Sequence, residues 1–191
     1  TYVDLLNHTI QPIPCLAIDG QITIVEIDIE KCTVVKNETI YEVTAVSNST
    51  IHDLSYDDEE YKMDLNVSGA SGTVSFCNIT LPKELLNGTL VVLVNGNPVD
   101  YTKIENETHI TLTFTFHNSR STIQILVSII GDLNGDRIVN LQDIVIVCLA
   151  YGSTPDSPNW NPIADIIQDN IINLRDAVAV CLNYGKTWQP P

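Results

Sequence analysis

Residues 109–129 read HITLTFTFHNSRSTIQILVSI. Ile110, Leu112, Phe114 and Phe116 alternate with His109, Thr111, Thr113 and Thr115, the period of two that puts one face of a strand in a core and the other outside. Residues 121–129 repeat the pattern with Ile123, Ile125, Val127 and Ile129 on one side. Between the two, His117-Asn118-Ser119-Arg120 reads as a short hairpin connection. Two amphipathic strands joined so closely predict an antiparallel sheet with one buried face.

The same signals continue upstream. Residues 89–94, TLVVLV, are apolar on both parities and are predicted to sit centrally, and Asn95-Gly96-Asn97-Pro98 turns the chain into a strand over residues 99–104. Residues 40–46, 61–67 and 73–79 are further strands, and Pro82 to Leu86 reads as one helical turn. In residues 21–30 the apolar parity switches from Ile22 and Ile24 to Val25, Ile27 and Ile29, which predicts a bulge or a crossing between sheets. Short strands at even spacing across residues 21–130 predict a β-sandwich, Ig-like or cohesin-like. Residues 1–20, with Pro12 and Pro14, form an N-terminal arm, either extended or disordered.

Downstream, DLNGDRIVNLQDIVIVCLAYG (residues 132–152) aligns with DIIQDNIINLRDAVAVCLNYG (residues 165–185) at an offset of 33, with 12 identities in 21 positions. Asp132, Asp136, Asn140 and Asp143 recur as Asp165, Asp169, Asn173 and Asp176, at positions 1, 5, 9 and 12 of a loop. Ca²⁺ takes six to eight oxygens, and a 12-residue loop can wrap them around one ion. The first loop offers Asp132, Asn134, Asp136 and Asp143 side chains, the Ile138 carbonyl, and Asn140 directly or through water. The second offers Asp165, Asp169, Asn173 and Asp176 with the Ile171 carbonyl, but Ile167 stands where the position-3 ligand should be. Two Ca²⁺ sites are therefore expected, the second weaker. Position 6, usually Gly, is Arg137 in one loop and Asn170 in the other; a left-handed backbone there suits Asn and strains Arg.

Each loop leads into a helix. Leu141, Ile144, Val145, Cys148 and Tyr151 form one stripe, matched by Leu174, Ala177, Val178, Cys181 and Tyr184. These stripes are expected to face inward, and Gly152 and Gly185 to close the helices in the left-handed conformation. Cys148 and Cys181 then meet as a disulfide or pack as two buried thiols. Among Cys15, Cys32 and Cys77 the pairing is open.

Two loop-helix units with this spacing resemble the dockerin family, type I with EF-hand-type loops, over about residues 131–188, so residues 131–191 are assigned to that module. The segments around Trp160 and Trp188 are similar to modules of archaeal secreted or cell-surface proteins. The resemblance implies a small helical module folded around two Ca²⁺ ions that docks through its helices onto a cohesin, itself a β-sandwich. At positions 10 and 11, where many dockerins read their partner with polar groups, this chain has Leu141-Gln142 and Leu174-Arg175, so the partner is either a cohesin-like sandwich or another copy of this chain.

Charge narrows the partners further. Nine Lys plus Arg against 24 Asp plus Glu give a net charge of −15, with 6 basic and 17 acidic residues before residue 131 and 3 and 7 after it. Such a surface repels a phosphate backbone, so no nucleic-acid partner is expected, and no apolar run is long enough to insert in a membrane. Asn-x-Ser/Thr occurs at Asn7, Asn37, Asn48, Asn66, Asn78, Asn87 and Asn106, which points to a glycosylated, exported chain. A start at Thr1 fits a mature product. The acidic run Asp57-Asp58-Glu59-Glu60 reads as a solvated loop, and His8, His52, His109 and His117 lack zinc spacing. Nucleophile-elbow, phosphate-loop and dinucleotide motifs are missing, so no enzyme is expected. The sum predicts a secreted structural protein for calcium-dependent extracellular assembly, head to tail into a filament or surface layer. A carbohydrate-binding or adhesive module anchored through dockerin and cohesin is the alternative.

Overall fold

The computed structural model describes residues 17–18, 21–22 and 27–189. The arm over residues 1–20 therefore lies almost wholly outside the described residues, as do Asn7, Cys15 and the parity switch at 23–26. Strands β1 (Ala17–Ile18) and β2 (Gln21–Ile22) pair antiparallel. The strand expected over 21–30 is thus not one element: the next, β3, begins at Asp28 and runs to Lys36.

Beyond β3 come β4 (Thr39–Ser47), β5 (Thr50–Asp57), β6 (Lys62–Ser68), β7 (Val74–Pro82), β8 (Thr89–Val94), β9 (Asn97–Val99), β10 (Thr102–Glu105), β11 (His109–His117) and β12 (Arg120–Ser128). They form two five-stranded antiparallel sheets, β10-β11-β7-β4-β3 and β5-β6-β12-β8-β9. One apolar core joins both sheets. Ile79 and Leu81 of β7 and Ile110, Leu112, Phe114 and Phe116 of β11 meet Met63, Leu65 and Val67 of β6 and Ile123 and Ile125 of β12. The alternation in 109–129 is therefore the fold's organising feature. At about 25 cal/mol per Å² of apolar surface, each such buried side chain contributes roughly 1.5–3 kcal/mol.

The connection inside that stretch differs from the expectation. β11 and β12 belong to different sheets, so Asn118-Ser119 is an arch across the core rather than a hairpin. A two-residue hairpin needs positive φ at its central residues, and neither residue has it. Asn118 instead turns inward, accepting from Ser49 Oγ at 2.7 Å and donating to Thr73 Oγ1 at 2.9 Å and Ser75 Oγ at 2.5 Å. True two-residue hairpins occur where φ is positive at both loop positions. One is Asn95-Gly96 between β8 and β9, the other Asn37-Glu38 between β3 and β4.

Two more expectations are corrected. The strand over 99–104 is split: β9 pairs with β8 in one sheet and β10 with β11 in the other, the chain crossing at Asp100-Tyr101. Residues 83–86 form a turn closed by the Leu85 N–H to the Pro82 carbonyl at 3.1 Å, not a helix. The strand at 89–94 is buried on both faces as expected, because its outer face carries Val91 and Leu93, which with Leu126 form a second apolar patch.

β12 leads straight into the C-terminal segment, which has α1 (Leu141–Ala150), a 3₁₀ turn (Pro162–Ala164) and α2 (Leu174–Cys181). Its own small core comprises Leu133, Val139, Val147, Ala150, Ala164, Ile172 and Val180. The chain is thus predominantly β, with two short helices. No helix among the described residues is long and apolar enough to cross a membrane.

Candidate metal centre: two oxygen-rich loops

The repeat in sequence is a repeat in geometry. In the first loop Asp132 Oδ1 accepts from the Gly135 N–H and Oδ2 from the Arg137 N–H, each at 2.8 Å. In the second, Asp165 Oδ1 accepts from Asp169 at 3.1 Å and Oδ2 from Asn170 at 2.9 Å. Asp136 Oδ1 accepts from the Ile138 N–H, as Asp169 Oδ1 does from Ile171. The position-12 carboxylates span the loops: Asp143 takes the Leu133, Asn134 and Asn140 N–H groups, and Asp176 those of Ile167 and Asn173. Positions 4 and 6 are left-handed in both, with φ of 76° at Gly135, 67° at Arg137, 58° at Gln168 and 64° at Asn170.

Helix capping explains part of this arrangement. Asn140 and Asn173 are N-caps whose Oδ1 accepts from Gln142 and Arg175 at 2.8 Å, and Asp143 and Asp176 complete capping boxes. Their amide nitrogens point back to the Ile138 and Ile171 carbonyls, so with these amides as oriented, position 9 would reach an ion through water. Capping does not explain Asp132, Asp136, Asp165 and Asp169, which lie before the helices and fold the loops around the same space.

The electrostatics fit a divalent cation. Asp132, Asp143, Asp165 and Asp176 are buried. Among the described residues no Lys or Arg lies within ion-pair distance of any of the four. Burial lifts the Asp132 carboxyl above its ordinary value, and the neighbouring Asp143 charge pushes the same way, against hydrogen bonds from Ser128, Arg137 and Gly135. No three Asp, Glu, His or Cys side chains cluster as a metal site among the described residues. At the second loop Ile167 supplies no side-chain oxygen and is exposed, while Arg175 Nη1 stands 3.7 Å from Asp169 Oδ2. That guanidinium competes for a carboxylate that Gln142, its counterpart in the first loop, leaves alone.

Val139 and Ile172, at position 8, tie the units together. Gly152 N–H donates to the Ile172 carbonyl and Gly185 N–H to the Val139 carbonyl, both at 2.8 Å. Both glycines have φ near 80°. Gly152 follows the α1 cap Tyr151 as a left-handed helix end requires, whereas α2 ends at Cys181 with Leu182 as its cap, so Gly185 lies in the turn beyond the helix rather than closing it.

Most of each expected inward stripe faces outward; only Ile144 and Ala177 of the stripes are half-buried against the small core. Leu141, Val145, Cys148, Leu149 and Tyr151 are exposed, as are Leu174, Val178, Cys181, Leu182 and Tyr184; Leu149 and Leu182 are each 74% exposed. The buried faces are Asp143, Val147 and Ala150 in α1 and Asp176 and Val180 in α2. Apolar residues occupy most of α1's circumference, so periodicity cannot choose its inner side. The need of Asp143 and Asp176 to reach the loop N–H groups fixes the rotation instead. Cys148 and Cys181 are free thiols here, as are Cys32 and Cys77.

Of the other residues singled out in the sequence, Asn37, Asn87 and Asn106 are exposed at turns. Asn48, Asn66 and Asn78 are half-buried, Asn48 and Asn66 accepting hydrogen bonds from Phe76 and Thr122. Neither the family models, the curated proteins nor the solved structures compared with this chain match it.

Proposed function

We propose that this chain is a secreted, glycosylated structural protein in which two calcium loops hold a paired apolar helix face for assembly outside the cell. The observation that carries this reading is the duplicated outward stripe, Leu141, Val145 and Leu149 on α1 and Leu174, Val178 and Leu182 in and just past α2, following loops whose buried carboxylates lack cationic partners. Exposed apolar surface repeated in this way favours association. Asp132, Asn134, Asp136, Asp143 and the Ile138 carbonyl would hold one Ca²⁺; Asp165, Asp169, Asp176 and the Ile171 carbonyl would hold the weaker second, with Asn140 and Asn173 acting through water. Calcium would neutralise the loop carboxylates and fix the loops from which both helices start.

The partner is another copy of the chain or a cohesin-like sandwich. The outer face of the first sheet, with exposed Ile29, Val35, Ile40, Val74 and Ile104 among threonines, offers a second copy a flat apolar landing. A helix face on one end docking to a sheet face on another is a heterologous contact that propagates as a filament. No catalytic role is assigned. The carbohydrate-binding alternative is less well supported, since Trp160 and Trp188 are both partly buried against core residues rather than displayed for sugar stacking.

Calcium at 100 times its Kd would stabilise the fold by about 2.7 kcal/mol. Thermal melting and light scattering with and without chelator test the proposal. A lower Tm and smaller particles after chelation are expected; identical melting and identical particle size would overturn it.

A further inference from the structure

The two loops differ in what lies beyond them. The first is seated on the second sheet at three points. Ser128 Oγ, at the end of β12, donates to Asp132 Oδ2. Gly135 lies so close to β8 that a Cβ would come within 2.9 Å of Leu93 Cδ2 and 3.0 Å of Val91 Cγ1. Arg137 reaches into the loop between β5 and β6, where Nη1 donates to Glu60 Oε2 at 2.8 Å and Nη2 to the Glu60 carbonyl. Its guanidinium also covers the Trp188 ring at 4.5 Å, and that ring meets Tyr61 edge-on at 5.8 Å. The Arg137 main chain accepts from the Trp188 N–H at 2.9 Å while its own N–H holds Asp132. One residue thus joins a proposed ligand, Trp188 and the sheets.

Among the described residues, no hydrogen bond or ion pair joins the second loop to the sheets. Asn170, the counterpart of Arg137, is exposed, and Asp165, Ile166 and Gln168 line an open cleft of about 650 Å³ that they share with Asp132 and Leu133 of the first loop and with Asp100 and Tyr101.

We infer that calcium in the first loop, and not in the second, fixes how the C-terminal segment sits on the sheets, with Arg137 as the positioning residue. The inference rests on the calcium reading above. Because the second loop binds more weakly, falling calcium empties it first and loosens the helix face while the segment stays seated; only at lower calcium does the Arg137 contact release. The protein then responds to calcium in two steps, docking face first and internal arrangement second.

The test uses the full chain with calcium chloride alone. Calorimetric titration counts the sites, small-angle X-ray scattering reads the overall arrangement, and amide exchange at Trp188 reads the Arg137 contact. Asp136→Ala should remove the tighter site, expand the particle and speed Trp188 exchange at least about tenfold at saturating calcium. Asp169→Ala should remove only the weaker site and leave scattering and Trp188 exchange as in the unmodified chain. The double variant Glu60→Ala and Trp188→Ala should expand the particle in calcium with both sites still titrating. No calcium heat in the unmodified chain would sink the loop reading and this inference together. Two titrating sites with scattering and Trp188 exchange indifferent to Asp136→Ala, or a double variant that scatters as the unmodified chain does, would overturn this inference alone.

Discussion

Replacing Gly135 with alanine tests the seating of the first loop quantitatively, because Gly152 provides a matched control. Both glycines are left-handed, with φ of 76° and 80°, so in either case an alanine costs about 1–2 kcal/mol of backbone strain. At Gly152 nothing lies within 4 Å of the added methyl, and that is the whole expected loss. At Gly135 the methyl meets Leu93 and Val91 at 2.9 and 3.0 Å. Those side chains are only 6% and 8% exposed, so neither can swing into solvent. Overpacking of this kind adds about 1–3 kcal/mol. Gly135→Ala should therefore lose about 2–5 kcal/mol against about 1–2 for Gly152→Ala. For a chain of this size each kcal/mol lowers Tm by about 2–4 °C, a gap that differential scanning calorimetry in one buffer resolves. Equal losses for the two variants would mean that the first loop does not rest on β8, and the contacts of Arg137 would lose their meaning with it.

Asn118→Ala removes the acceptor for Ser49 and the donor to Ser75, both buried; a loss of about 1–3 kcal/mol in urea unfolding is expected, and a neutral result would contradict the buried arch. Burial pushes the Cys77 thiol up to about 12, so the folded state keeps a proton that the unfolded chain loses above its ordinary value of 9.0. Stability should then fall between pH 9 and 12 by at most about 1.4 kcal/mol per pH unit relative to Cys77→Val. In the reduced native protein a maleimide should modify Cys148 and Cys181 but reach Cys77 only in denaturant, which peptide mass mapping would show. Leu149→Lys and Leu182→Lys, at positions 74% exposed, should change stability by no more than about 0.5 kcal/mol while reducing particle size in light scattering; a large loss of stability would place these side chains in a core.

The β face of the fold was legible wherever alternation ran unbroken, as at Ile110 to Phe116. It was hidden where the ladder is interrupted. Strand β5 slips register between His52 and Ser55, with Asp53 at φ 51°, and the slip scrambles the period that would have revealed it. Strand β3 was hard to place because its turn, Asn37-Glu38, adopts positive φ at a glutamate, where the usual signal is glycine. Periodicity also says nothing of which sheet a strand joins, and so Asn118-Ser119 looked like a hairpin. In the loops, the repeated geometry of Asp132, Asp136, Asp143 and their counterparts is legible from spacing alone. The contact of Arg137 is half-legible: a bulky cation at a position that favours glycine calls for a partner, and that partner is Glu60, 77 residues away in sequence.

The place of β12 between β6 and β8 has a consequence for the order of synthesis. Until residues 120–128 leave the ribosome, the second sheet exists only as two separate pairs, β5 with β6 and β8 with β9, each with an unpaired edge open to mispairing. The last strand of that sheet in sequence order is the one that joins them. The first calcium loop follows it at once, so the segment that seats on Val91 and Leu93 emerges just as the sheet beneath it closes.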